Sequence, residues 1–238
     1  VKLAVESGCE RVLREIIKKP YRKLSTVKKV VEKLRAADIF VRAFWVIGNP
    51  GETKEEILES LEFYKKTGFN WVSIMIAAPI AGSDLYNLCK EKNLLINDRI
   101  DTFHFGKANI KLDHSTPKEF ERFRYLLNLD TNFVNNWDLK NGNPEKALLG
   151  LEDVLSRVPH HAFACYYIAE CYRQLNDNNN TNKYMNKYFE IINSNEKWME
   201  YAKYFGLSIK PSDKIDNSYI PNKILNSEWT KDFFQLST

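Results

Sequence analysis

Long hydrophobic runs are missing from this chain of 238 residues. Its longest apolar stretches, residues 40–48 and 71–80, fall well short of the roughly 20 residues that cross a bilayer, and neither has the flanks of a signal peptide. An excess of one charge is missing too. Lys and Arg number 35 against 31 Asp and Glu, and a net charge of +4 argues by itself for neither nucleic acid nor an anionic membrane surface. Cysteine is scarce: Cys9, Cys89, Cys165 and Cys171 form no CxxC pair and no disulfide framework, so reduced, buried thiols are expected. His104, His114, His160 and His161 lack metal-ligand spacing with Cys or acidic residues, which leaves surface or capping roles. The chain reads as cytoplasmic, without a membrane partner. It starts in an apolar run, residues 1–5, with no initiator Met, cap or leader, and is read as a fragment of a longer protein.

What is present is enough for a core, with 44% hydrophobic and 28% charged residues. Residues 1–78 alternate strand and helix. Apolar, partly β-branched runs predict strands at 1–5, 39–47 and 71–78, the second nearly continuous and so expected to be covered on both faces. Helical spacing runs through Val12, Leu13, Ile16 and Ile17, then Val27, Val30, Val31 and Leu34, with Pro20 dividing two helices; further helices are expected at 53–67 and 84–92. Strand, helix, strand, helix, strand in one unit implies parallel pairing with right-handed crossovers. Capping boxes are expected at Ser7 with Glu10, Thr53 with Glu56, and Thr116 with Glu119 after which Pro117 opens a helix.

From residue 116 the pattern is helical. Aligned to itself at about 34 residues, the second half shows Gly142, Ala147, Leu151 and Pro159 in residues 128–161, and Ile168, Ala169 and Tyr172 in residues 162–195, at tetratricopeptide positions. Helices are expected at 129–140, 144–157, 162–175, 178–192 and 196–205. Thr181 replaces the usual Ala in an Asn-rich turn, which predicts looser packing there. Residues 210–238 read as an irregular tail anchored by Trp229, Phe233 and Phe234.

Parallel α/β folds place ligands at strand ends. Here those ends read Glu6-Ser7-Gly8, then Gly48-Asn49-Pro50-Gly51-Glu52-Thr53, then Ala78-Pro79-Ile80-Ala81-Gly82-Ser83. Small residues beside polar ones predict backbone amides and helix amino termini aimed at one rim, suited to a ligand with hydroxyls, a carboxylate and a flat ring. In this order, and joined by Ile17-Lys18-Lys19-Pro20, these segments resemble the fourth, fifth and sixth strands of radical S-adenosylmethionine enzymes, in the branch that often carries a cobalamin-binding domain upstream. The resemblance covers residues 1–112. It implies the carboxyl-terminal half of a (β/α)6 TIM-like barrel; the helical periodicity and the 34-residue self-alignment add a connecting helix at 113–127, two tetratricopeptide-like repeats at 128–195, and a capping helix with the tail at 196–238.

The resemblance also implies roles. Glu6 and Ser7 would meet the ribose or amino acid part of S-adenosylmethionine, and Lys19, or its neighbour Lys18, its carboxylate. Val46, Gly48 and Pro50 would pass beside the adenine, with Ala78 and Pro79 lining the same pocket. Each has a plainer reading: Ser7 and Glu10 as a cap, Lys18 and Lys19 as part of a solvated basic face, Glu52 and Thr53 as a helix start. Arg42, inside an apolar strand, needs an acceptor, with Glu6 as the candidate. The family's CxxxCxxC loop, whose thiolates hold a four-iron four-sulfur cluster, is absent from the sequence, so this fragment alone is expected to be inactive. A rival reading makes it an interaction protein whose repeats bind a protein partner on an α/β scaffold; nucleic-acid modification ranks last.

Overall fold

The short apolar runs of the first half become three parallel strands in a computed structural model that describes residues 1–20, 23–97, 104–113 and 115–211. Strands β1 (Lys2–Glu6), β2 (Arg42–Ile47) and β3 (Trp71–Ile76) lie in the order β1-β2-β3. Their crossovers carry α1 (Leu24–Ala36) and α2 (Lys54–Thr67); α3 (Asp84–Glu91) and α4 (Pro117–Leu129) follow. This first unit runs from Val1 to Asn128. The register sets Lys2 against Arg42 and Arg42 against Trp71, and at the other end Glu6 against Trp45 and Ile47 against Ile76.

Cover on both faces of β2 is not what forms. Ala43, Trp45 and Ile47 are fully buried, whereas Arg42, Phe44 and Val46 alternate with them as half-buried residues. Tyr64 of α2 stacks on Trp45 at 4.8 Å, and its hydroxyl donates to the Phe44 carbonyl at 3.2 Å, whereas the opposite face is covered only in part, Val46 packing against the cluster of Ala77, Cys89, Leu95 and Ile110. The expected Arg42–Glu6 pairing is also absent, because the register sets the two residues at opposite ends of the ladder and Glu6 has another partner.

Two of the three capping boxes form. Thr53 accepts from the Glu56 amide while Glu56 accepts from the Thr53 amide, and Thr116 and Glu119 exchange the same pair of bonds. The Ser7–Glu10 box does not. Ser7 Oγ accepts from the Cys9 amide and meets Ser60 Oγ, while the Glu10 carboxylate accepts from the Leu24 amide and so starts α1 instead. Between them lies a π-helical turn, Val12–Ile16, with Val12 and Leu13 fully buried.

The second unit begins at Leu129. It holds α5 (Trp137–Lys140), α6 (Pro144–Arg157), α7 (Ala162–Gln174), α8 (Asn178–Ser194) and α9 (Glu196–Tyr204). The single helix expected at 129–140 is broken: a π-helical turn, Asp130–Val134, gives way to a restart at Asn136, whose side chain caps the Leu139 amide at 3.1 Å. Residues 162–169 of α7 are buried on every side, with Phe163 between Phe133, Trp198 and Phe205. Looser packing at Thr181 is not seen. Its hydroxyl turns back to the Asp177 carbonyl at 2.8 Å, and Tyr166–Tyr188 and Tyr172–Tyr184 ring contacts join α7 to α8. Trp229, Phe233, Phe234 and His114 lie outside the described residues. Among the described residues no helix is long and apolar enough to cross a membrane.

Candidate functional site

The carboxyl ends of the three strands form one rim. At the end of β1 the ladder shifts by a residue between Ala4 and Glu6, and Glu6 takes a left-handed φ of 71°. A side-chain-bearing residue there costs about 1 kcal/mol or more, strain of the kind that collects at functional sites. The bulge is held by an ion pair: Lys19 Nζ lies 3.0 Å from Glu6 Oε1, with the two side chains only 21% and 26% exposed. Lys18, at a φ of 57°, turns the chain after the π-helical turn and itself points to solvent. The structure thus pairs Lys19, not Lys18, with Glu6.

Beyond β2, Gly48 (φ 78°) and Gly51 (φ 83°) shape the bend at 48–51. A Cβ at Gly48 would sit 2.7 Å from the Phe120 ring, so both conformation and packing require glycine. Gly8 is needed for a different reason, since a Cβ there would meet Phe63 Cβ and Ser60 Cα at 2.7 Å. The bend is fastened from inside by Glu52, whose Oε2 accepts from the Gly48 amide (2.8 Å), the Asn49 amide (3.1 Å) and Asn49 Nδ2 (3.3 Å). Its Oε1 is buried without a partner. Burial, reinforced by the nearby Glu56 carboxylate, pushes the Glu52 carboxyl up to about 7 despite those donors.

A second set of bonds ties β1's end to the same bend. The Arg11 guanidinium grips both oxygens of Glu56 and donates to the Gly51 carbonyl at 2.8 Å. Its hydrogen bonds, more than its charge, hold the Glu56 carboxyl down at about 2. Ser60 Oγ of α2 accepts from the Gly8 amide at 2.9 Å and meets Ser7 Oγ at 3.1 Å. At the end of β3, Ala78 is half-buried and Pro79 buried, and Ser83 caps α3 through the Tyr86 amide.

Of the sequence-derived site residues, Glu6 and Lys19 meet directly, and Val46, Gly48, Pro50, Ala78 and Pro79 follow the same strand ends. Ser7 is fully buried and its hydroxyl is turned to α2. The expectation of free amides at the rim does not hold: Glu52 takes those of Gly48 and Asn49, and the Thr53–Glu56 box closes the start of α2. Arg11, Glu52 and Ser60 are the contributors sequence reading missed. Glu52 reads as part of a helix start and Glu56 as a capping-box partner, and only the tertiary contacts show that Glu52 holds the bend and that Glu56 also binds Arg11.

The four cysteines are buried, free thiols, and among the described residues no group of three His, Cys, Asp or Glu could hold a metal ion. An iron-sulfur cluster does not fit the described residues. His104 Nδ1 accepts from the Gly106 amide and His161 Nδ1 from the Ala164 amide, both as caps.

The chain is similar to two kinds of curated enzyme. It is 37% identical over 95 residues to a cytidylyl-2-hydroxyethylphosphonate methyltransferase of Streptomyces wedmorensis, a match covering 37% of this chain and 18% of that protein. It is 32% identical over 88 residues to a tRNA-2-methylthio-N(6)-dimethylallyladenosine synthase of Thermus thermophilus, and 33% identical to that of Neisseria meningitidis, covering 36% of this chain and 18 to 20% of those proteins. The chain thus matches about a fifth of the length of these relatives. No protein-family model matches it. The matches support a relationship, over part of the chain, to the radical S-adenosylmethionine enzymes that the strand-end motifs resemble.

Proposed function

We propose that this chain is the carboxyl-terminal half of a radical S-adenosylmethionine enzyme barrel, followed by a tetratricopeptide-type helical unit. One observation supports the reading: the Glu6–Lys19 pair and the 48–51 bend lie at the carboxyl ends of adjacent parallel strands, with Arg11 bonded to the Gly51 carbonyl. The donor set fits a zwitterion. Lys19 would hold the carboxylate of the methionyl group, and Glu6 its ammonium or the ribose hydroxyls, the two ends of an ion pair that a ligand would divide between them. Val46 to Pro50 would lie along the adenine, with Ala78 and Pro79 opposite. Bound and reduced, S-adenosylmethionine supplies a 5'-deoxyadenosyl radical. The residues here bind and orient; the cluster ligands belong to the rest of the parent protein, and this chain alone is inactive. Methyl or methylthio transfer is the reaction class that the relatives' names favour, and the methyltransferase keeps cobalamin open as a further cofactor.

Titration of the chain with S-adenosylhomocysteine, followed by amide NMR, tests this. Shifts at residues 6–8 and 46–51 that weaken tenfold or more in Lys19→Met support it; no shift at millimolar ligand, or equal binding in the variant, refutes it. Anaerobic incubation with iron, sulfide, dithionite and S-adenosylmethionine should yield neither cluster absorbance nor deoxyadenosine.

A second reading rests on the other unit. Trp198, Tyr201, Ala202 and Phe205 in and after α9 stand at the spacing of a tetratricopeptide first helix, adding to the two repeats at 128–195 and favouring a protein partner there. Capture of one defined protein by the chain, lost when Arg173 in the last turn of α7 and the exposed Lys183 of α8 are changed to Glu together, would support it.

A further inference from the structure

Glu52 is placed where a cap is not needed. Thr53 and Glu56 already close α2, yet Glu52 turns away from the helix into the 48–51 bend, where it is 5% exposed. Three N–H donors converge on Oε2 and none reaches the buried Oε1. A carboxylate with one oxygen satisfied and the other orphaned in the interior sits between two states. Ionised, it makes charge-assisted bonds to the amides of Gly48 and Asn49. Protonated, it takes a proton from solvent at Oε1, and Oε2 becomes a neutral carbonyl acceptor whose bonds to the same amides are roughly half as strong.

The charged groups around it do not fix the choice. Glu56, one turn along α2, opposes the ionised form, and Arg11, from the segment after β1, spends its charge on Glu56 and on the Gly51 carbonyl instead. From α4 the Phe120 ring packs on Gly48. The bend itself is strung between two left-handed glycines and depends on Glu52 for its inner hydrogen bonds. We propose that Glu52 is the positioning residue of the rim, a proton-operated latch that stays buried in both states, holds the Gly48–Asn49 bend through the amide bonds of its carboxylate, and loosens those bonds when protonated. Burial raises its carboxyl to about 7, which puts the two states on either side of neutral pH. Resting on the function proposed above, the latch makes ligand binding at the rim weaken as pH falls below 7.

The amides report the latch without any ligand. Between pH 5.5 and 8.5, the Gly48 and Asn49 amide protons should move downfield together, with a midpoint near 7 shared by the Glu52 carboxyl carbon. In Glu52→Gln the two amides should stay near their low-pH positions and not titrate. Flat amides in the wild type, amides that still titrate in the variant, or a Glu52 carboxyl titrating near 4.5 would each overturn the latch. If Glu52→Gln does not fold, the carboxyl-carbon titration of the wild type decides alone. S-adenosylhomocysteine binding that weakens severalfold from pH 8 to pH 6, in the wild type only, ties the latch to the rim; an analogue that binds at neither pH refutes the cofactor reading and leaves the latch to the amides.

Discussion

Acid should weaken the second unit through one histidine. His161 is 5% exposed, with its ring stacked on Phe133 at 4.8 Å and against Trp198 at 4.8 Å. Nδ1 accepts from the Ala164 amide, so the neutral ring carries its proton on Nε2 and a second proton would abolish the cap of α7. Desolvation lowers its pKa from 6.5 to about 4. A folded state that binds the proton more weakly than the unfolded chain loses stability as pH falls, starting near 6.5 and complete just below 4. At 1.36 kcal/mol per unit, the loss is about 2 kcal/mol at pH 5 and about 3 kcal/mol at pH 4. Other carboxylates titrate in that range, so the test is a difference. Urea unfolding followed by tryptophan fluorescence should show the wild type losing about 2 kcal/mol more than His161→Asn between pH 7.5 and pH 5, because Asn caps a helix without titrating. Equal losses in the two proteins would refute the reasoning.

Glu52 should act in the opposite sense on the first unit. Its folded pKa of about 7 lies above the unfolded 4.5, so its contribution is fully present below pH 4.5 and is lost as pH rises through 7; Glu52→Gln should gain up to about 3 kcal/mol on the wild type between pH 5 and pH 8.5, read by denaturant midpoints. Gly48→Ala adds a left-handed alanine and a 2.7 Å clash with Phe120, together costing about 2 to 4 kcal/mol, visible as a lower thermal midpoint. Ser60→Ala strands the buried Gly8 amide and should cost about 1 to 3 kcal/mol, with faster hydrogen exchange at Gly8 as its local signature. Thr53→Ala removes one half of the α2 capping box for about 1 kcal/mol.

Much of this fold is written in local patterns. Thr53 with Glu56 and Pro117 after Thr116 mark helix starts because capping is a contact between residues three apart, and Pro144 and Pro20 mark boundaries because proline fixes its own backbone. The same logic misled at Ser7. Its spacing to Glu10 satisfies the box, but Ser60, 53 positions away in the chain, offers its hydroxyl, and Glu10 reaches Leu24 instead. The helix expected at 129–140 failed similarly. Its apolar spacing is helical, but the buried Asn136 side chain donates to the Asn132 carbonyl and accepts from the Leu139 amide, competing for backbone partners and interrupting it.

The sequence by itself determined the parallel α/β first half, the helical second half, the absence of a cluster-binding cysteine triplet, and the strand-end residues that carry the family resemblance. These depend on periodicity, composition and short spacings, which are properties of neighbouring residues. Only the tertiary structure decided that Lys19 rather than Arg42 or Lys18 meets Glu6, that Glu52 takes the amides of the bend, and that Arg11 binds the two rim segments together. Those outcomes turn on strand register and on which groups are removed from water, and both are settled only when distant segments of the chain pack against each other.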